Sequence, residues 1–418
     1  MSRKWTEAQT DAINARRGSV LVSAAAGSGK TAVLVERVIR RLTDPVNPTD
    51  ADRLLIVTFT RAAAGEMKER ISAAVSALLR QDPGNARLIN QQMLLPAAKI
   101  CTIDSFCSGL VKENFQLLDI SPDFKTADEG ELSVLKKQAM DTTLEQMYSK
   151  GDEGFLSLVE LLFQGRDDSF IEKQVSRFYE ISRSFPFPEK WLEGLCEPFL
   201  KKDKLKDSIY GSMVLSYIEA AVQYSLDMFN DILSQAEGNE DLEKMFSAAV
   251  SLDVTQCEHI LQKVQNGEWD ALRLSVSRYE AKRRGNTPKH LKDDLYTARL
   301  VDMRKKAADN IKELTDFLCC SEEDFYGDME FFAPAVRGLV ETVMLYSEVY
   351  GKIKKEKKLA DFSDITHMAL SLLVRQTEDG FESTEFAKSI SESFDEILID
   401  EYQDTNRAQD MLFSSISR

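Results

Sequence analysis

The stretch SAAAGSGKTAVLVERVI, Ser23 to Ile39, decides how this chain is read. Ala24 to Thr31 follows the pattern of a small residue, four further residues, Gly-Lys and a hydroxyl, with Ala24 where a glycine is more usual. Gly27 and Gly29 let the backbone wrap closely, so that several N–H groups can face one anion. The residues that follow are apolar at helical spacing, and a helix there points its positive end at the same place. Lys30 is placed to reach the β- and γ-phosphates of a nucleotide, and the Thr31 hydroxyl to bind Mg²⁺. The candidate nucleotide-binding residues are therefore Ala24, Ala25, Ala26, Gly27, Ser28, Gly29, Lys30 and Thr31.

Four short apolar runs read as buried parallel strands: SVLVSA from Ser19, RLLIVTFT from Arg53, KICTI from Lys99 and EILIDE from Glu396. The first three each run into a helix-period stretch, KTAVLVERVIRRL, RAAAGEMKERISAAVSALLR and SFCSGLVKENF. This alternation predicts an α/β domain built on a parallel sheet. Between roughly residues 127 and 358 strand signals fade, and segments such as GELSVLKKQAMDTTLEQMY show apolar residues at helical spacing. The α/β pattern returns only near the C-terminal end, so the helical block reads as an insertion. The expected organisation is 1–126 as the first part of the α/β domain, 127–358 as the inserted helical domain, and 359–418 as the return.

The fourth run delivers Asp400 and Glu401 at the C-terminal end of Ile397-Leu398-Ile399. Alone, an apolar run before two acids is common at a surface. Beside a phosphate loop it becomes the second half of a nucleotide-hydrolysing site. One carboxylate, Asp400, would hold the metal, and Glu401 would polarise the attacking water.

Bulk composition bounds the rest. A length of 418 residues suggests two or three domains, and 43% hydrophobic with 29% charged residues suits a soluble globular chain. The net charge of −16 argues against a generally basic nucleic-acid coat, though a local stripe remains compatible with it. Six cysteines without a CxxC pair, and three histidines, disfavour a zinc site and suit buried thiols in a reducing cytoplasm. The N-terminus lacks an apolar signal region, and no run reaches a membrane-spanning length of about 18 apolar residues. The basic stretches KRRGNTPKH from Lys282 and KIKKEKK from Lys352 read as an exposed turn and a helix end, with solvated faces favoured over phosphate contacts.

Several stretches together resemble superfamily 1 DNA helicases of the UvrD/Rep type, which implies a P-loop, RecA-like motor domain. WTEAQ (Trp5–Gln9) is similar to the family's Q motif, which implies that Gln9 hydrogen-bonds an adenine. TFTRAAAGEMKERI from Thr58 and TIDSFC from Thr102 resemble motifs Ia and Ib, which in the family line the single-stranded DNA path. LADFSDITHMALSLL from Leu359 resembles the segment before motif II, and IDEYQDTN from Ile399 motif II itself, where Gln403 is implied to couple nucleotide state to DNA contacts. Within the superfamily, VSAAAGSGKTAVLVERVI, SPDFKTADEGELSVL, RFYEISRSFPFPEKWL and ADFSDITHMALSLL are most similar to AddA-type helicase–nuclease subunits. Asp104 stands where the family commonly has His, and an acid beside a phosphate backbone is unfavourable, so it is not expected to touch DNA.

The residues themselves supply a parallel reading. Thr58, Thr60, Thr102 and Ser105 lie at or just past strand C-termini, where α/β sheets bind ligands and where hydroxyls can hold phosphate oxygens. Phe59 and Phe106 could each offer a ring for base stacking, or pack in the core. The resemblance implies an ATP- and Mg²⁺-dependent 3′-to-5′ helicase and nuclease subunit for double-strand break repair by recombination, with Lys30, Glu401 and Gln403 in catalytic roles. It also implies two partners, DNA and an AddB-type subunit. Motifs beyond motif II and a nuclease domain have no counterpart in these residues, so weak ATP binding and poor hydrolysis are expected of this chain alone, and its end after motif II reads as a truncation. The rival readings are part of a stand-alone UvrD-like helicase and a non-catalytic nucleotide- or DNA-binding module. A small-molecule kinase lacks the Ia and Ib context.

Overall fold

The computed structural model describes residues 4–16, 18–25, 27–118, 120–162, 167–200, 204–377 and 380–418. Its chain divides into two compact units. Unit 1 comprises residues 1–151, 162–192 and 341–418, and unit 2 residues 152–161 and 193–340.

Unit 1 is organised by strand β1, Leu54–Thr58, buried at every residue. An apolar run without alternation suits a central parallel strand, covered on both faces. Strand β2 (Lys99–Thr102) pairs with it on one side and β7 (Glu396–Ile399) on the other, both parallel. Alternate β1 side chains feed two cores. Leu54 and Ile56 pack with Val38 and Leu42 of helix α2 (Lys30–Leu42) and with Met67, Ile71 and Val75 of α3 (Arg61–Gln81). Leu55 and Val57 pack on the other face with Phe106, Leu110 and Val111 of helix Ile103–Glu113, and with Leu370, Leu412 and Phe413. A small parallel sheet between helical layers results, in a chain that is mostly helical.

The run at Ser19 departs from expectation. Residues 19–25 form no strand, and Val20, Leu21 and Val22 are exposed, Leu21 at 80%. A strand exists only through a neighbour's hydrogen bonds, and apolar composition cannot supply them. Among the described residues no strand pairs with the outer edge of β7. Ordering the run there would fix its backbone, at about 1–2 kcal/mol per residue, against an edge that is itself only half-buried.

Two further pairings shape unit 1. Strand β3 (Lys125–Thr126) lies parallel to β4 (Leu359–Ala360), in register Lys125↔Leu359 and Thr126↔Ala360. The chain thus leaves β3 and comes back beside it more than two hundred residues later. Strands β5 (Val374–Thr377) and β6 (Gly380–Ser383) form a hairpin.

The Lys352–Lys358 stretch is not wholly a solvated face. Lys354 is buried: its Nζ donates to Asp361 Oδ2 at 2.7 Å and to Asp364, and lies 4.0 Å above the Tyr350 ring. Arg183 Nη2 reaches Asp364 Oδ1 at 3.2 Å, and His367 Nε2–H donates to the Arg183 carbonyl at 3.0 Å. Tyr179 meets Tyr346 edge-on, with centroids 5.1 Å apart, alongside this group. Burial holds the His367 imidazole neutral, its pKa lowered to about 4. The charge is internalised because two carboxylates wait at the start of helix Phe362–Leu373, where Asp361 and Asp364 also form a capping box.

Unit 2 is helical. Helices Ile209–Ala236 and Glu240–Asn266 pack as a hairpin over a core that includes Ile218, Val222, Phe229, Phe246, Val250 and Leu300. Gly238, at φ 77°, makes the turn, and the Asn239 side chain caps the second helix. The Lys282 stretch is also corrected. It is an extended strap along helix Glu240–Asn266, with Gly285 N–H donating to the Met245 carbonyl at 2.9 Å. A side chain at Gly285 would strike the Lys244 carbonyl, which is why glycine stands there. Arg304, paired with buried Asp253 at 2.8 Å, donates to the Lys282 carbonyl from beneath.

Candidate nucleotide site

The parallel sheet brings Thr58, Thr102 and Asp400 to one edge. Thr58 is in register with Thr102, and Asp400 N–H donates to the Val57 carbonyl at 2.8 Å, one step past β7. Carboxyl ends of parallel strands are where α/β sheets hold ligands.

The phosphate loop meets the acid pair at this edge. Gly27 (φ 77°) and Gly29 (φ 88°) take backbone conformations that other residues resist, and Gly29 starts α2. Ser28 N–H donates to the Ala25 carbonyl at 3.2 Å, which closes a tight turn. Lys30 Nζ donates to the Ala24 carbonyl at 3.3 Å and lies 4.0 Å from Glu401 Oε2. Ala26 lies outside the described residues. Gln9 secures the loop from a distance: its Nε2 donates to the Ser28 carbonyl at 3.0 Å, while its Oε1 accepts from Thr6 N–H in a capping box on helix α1 (Glu7–Asn14).

Glu401 sits at φ 54°, ψ 45°, in the left-handed region. That conformation is costly for a residue with a Cβ and concentrates at functional sites. Gln403 Nε2 donates to Glu401 Oε2, so the carboxylate is held between an amide and an ammonium. Asp400 is half-buried, and its carboxyl pKa is raised by burial and then by the neighbouring Glu401 charge. Such a pair of acids is short of positive charge, and a divalent cation would relieve it. Among the described residues no cluster of three or more His, Cys, Asp or Glu side chains could hold a metal unaided. Mg²⁺ needs no such cage when one carboxylate, a hydroxyl and substrate phosphates share it. The residues present fit a magnesium nucleotide in that limited sense.

Sequence reasoning missed the residues that set this geometry. Arg37 and Arg41, one turn apart on α2, both grip Glu396 at the start of β7, the latter with Nε to Oε2 at 2.8 Å. Arg37 Nη1 also donates to the Ala12 carbonyl at 2.6 Å. This clamp fixes the phosphate-loop helix beside the acid-bearing strand. Its signal was an acid opening an otherwise apolar run, but only the fold shows its partners.

The candidate DNA residues divide. Phe59 is 61% exposed beyond β1, and Ser105 and Thr60 are exposed. Phe106 is a correction: it is 4% exposed, with its ring 6.2 Å from Phe413 and 6.4 Å from Phe394. It lies on the inward stripe of its helix with Cys107 and Leu110, so it cannot stack on a base. Thr58 and Thr102 are buried too. The Thr58 hydroxyl donates to the Thr60 carbonyl at 3.0 Å, and the Thr102 hydroxyl accepts from Ser105 N–H as a helix cap. Both shape the loops instead of reaching a phosphate. Asp104 is partly buried, and burial raises its carboxyl pKa against the lowering pull of Arg61.

Known proteins are similar to this chain along nearly its whole length. The model of the UvrD/REP helicase N-terminal domain matches residues 5–418. ATP-dependent helicase/nuclease subunits of the AddA type are similar throughout the chain. Those of Thermoanaerobacter sp. (strain X514) and Acetivibrio thermocellus are 38% and 35% identical, across 100% and 99% of this chain. That of Bacillus licheniformis is 35% identical across 99%. In each case the chain spans 34% of the relative's own length.

Proposed function

The chain belongs to the UvrD/REP helicase N-terminal domain family, and from that premise we propose that it is the ATP-binding part of an AddA-type helicase–nuclease subunit. Names of relatives that share its whole span support the assignment. The full protein would move 3′ to 5′ along DNA in the cytoplasm, in double-strand break repair by recombination, with an AddB-type partner. No helix among the described residues is long and apolar enough to cross a membrane.

The observation that carries the reading is the meeting of Lys30 and Glu401, a phosphate-binding cation and a candidate base, at 4.0 Å from far separated parts of the chain. In this reading Gly27, Gly29, Lys30 and their loop neighbours hold the phosphates, Thr31 and Asp400 hold Mg²⁺, and Gln9 holds both the adenine and the loop. When bound, the magnesium nucleotide supplies the phosphoryl group and the charge that the metal neutralises. Glu401 Oε2 accepts the proton of a water, for which it must exchange its present contacts with Lys30 and Gln403. Gln403 is thereby placed to report the state of the site to the DNA side, where Phe59 offers a stacking face and Thr60 and Ser105 hydroxyls.

The finer fold belongs to the same proposal. The motor domain is RecA-like, formed by 1–126 and 359–418 around an inserted helical domain 127–358. The test is equilibrium binding of a fluorescent ATP analogue with Mg²⁺. Lys30→Ala is expected to weaken binding by about ten- to a hundredfold, the worth of a charge-assisted contact. Undiminished binding would remove the site assignment.

A further inference from the structure

Helix Ile209–Ala236 has two apolar faces. The inner one, with Leu215, Ile218, Val222 and Phe229, is buried in the core of unit 2. The outer one carries Tyr210, Met213, Tyr217 and Tyr224, all exposed, Met213 at 66% and Tyr224 at 62%. Exposed Ala220 fills the step between the last two, and exposed Asp227 and Asp231 continue the line. From Tyr210 to Asp231 the spacing alternates three and four residues without a break. That is the spacing of a seam made to receive a second helix, side chain into gap.

A surface helix normally turns a polar face outward, and a contiguous apolar stripe on it marks an interaction site. Tyrosine and methionine are residues that interface cores favour. The rings are also arranged: Tyr217 packs on Phe317 with centroids 4.7 Å apart, and Tyr210 lies 6.5 Å from Phe325. Packing of this kind leaves less side-chain freedom to lose on binding.

The charge pattern chooses the occupant. The helix carries no Lys or Arg along its 28 residues. Stacked bases bring phosphates, which need cations, and the seam ends in two acids instead. Asp227 and Asp231 accept from Gln223 and Gln235 amides at 2.9 and 2.7 Å. Those donors are neutral, so the charge at that end calls for a cation. A second copy of a chain with net charge −16 is electrostatically disfavoured as well.

We propose that this seam docks a helix of a partner protein, with the partner's apolar stripe on the tyrosines and its basic end on Asp227 and Asp231. The partner is the AddB-type subunit, and this identification rests on the function proposed above.

The 418-residue chain is titrated onto the purified AddB-type subunit by biolayer interferometry. Two double variants are compared, Tyr217→Ser with Tyr224→Ser and Asp227→Lys with Asp231→Lys. Thermal melts check that each folds, and either alone suffices. Each is expected to weaken binding about tenfold or more, and the loss in the charge variant should shrink as salt rises. Binding unchanged in the variants overturns the seam and leaves the partner assignment standing. No binding by the unaltered chain overturns that assignment and the inference with it. If the tyrosine variant loses single-stranded DNA but keeps the AddB-type protein, the seam is a nucleic-acid surface and the proposal fails. A concentration-dependent dimer that the variants abolish defeats it equally.

Discussion

Glu401 Oε2 lies 4.0 Å from Lys30 Nζ while its own backbone stands at φ 54°. The residue is thus held in a costly conformation at the point where its carboxylate faces the phosphate-loop cation. Glycine adopts that conformation freely. Glu401→Gly is therefore expected to raise stability by up to about 1 kcal/mol, seen as a higher denaturation midpoint. The same change should abolish ATP turnover in the full-length protein while nucleotide binding persists. A loss of stability would mean that the strain is not real.

Phe59, one residue past the end of β1, and Phe106, in the helix that follows β2, have opposite fates. Phe106→Ala empties a packed site against Phe394 and Phe413, and should cost about 3–5 kcal/mol in urea unfolding. Phe59→Ala, at an exposed ring, should leave stability within roughly 0.5 kcal/mol and weaken single-stranded DNA binding by about 1–3 kcal/mol. Equal effects on DNA binding would contradict the burial of Phe106.

Lys354 is the buried member of a basic run whose other lysines face solvent. Lys354→Met removes the ammonium that pairs with both Asp361 and Asp364, while Arg183 keeps its contact with Asp364, in a half-buried place. Breaking such a pair typically costs about 3–5 kcal/mol. Lys352→Met, a few residues away and exposed, should change stability by less than about 0.5 kcal/mol. A shared, small effect for the two variants would show that the buried contact contributes little.

His367 sets a pH dependence. Its pKa is lowered to about 4 in the folded chain, from an ordinary 6.5. The unfolded chain therefore takes up a proton first as pH falls, and stability drops between pH 6.5 and 4. The loss attributable to this group approaches roughly 3 kcal/mol at the acid end. His367→Gln should flatten that part of the stability–pH curve, as followed by thermal melts. An unchanged slope would mean that the imidazole is not held neutral.

How much of this was legible in the residues can be argued from three runs. LLIVT at Leu54 was readable because a strand covered on both faces needs apolar residues at every position, and few other structures do. SVLVSA at Ser19 is also largely apolar and forms no strand, because pairing depends on what lies beside a run in space and not on the run itself. The acid pair was readable as a candidate site, from an apolar run ending in Asp400 and Glu401, and the structure sets it at the sheet edge beside Lys30. The clamp of Arg37 and Arg41 on Glu396 was not, since nothing local distinguishes those charges from surface ones.

The sequence by itself determined what depends on near neighbours along the chain: the glycine turns of the phosphate loop, the helix that follows it, the capping residues and the strand at β1. These follow from backbone sterics and from periodicities of two and 3.6 residues. Tertiary structure alone decided which surfaces face each other. It turned Phe106 inward and Phe59 outward, drew Lys354 onto two carboxylates, and set Glu401 beside Lys30. Each outcome depends on what lies opposite in space, and no window of sequence contains that.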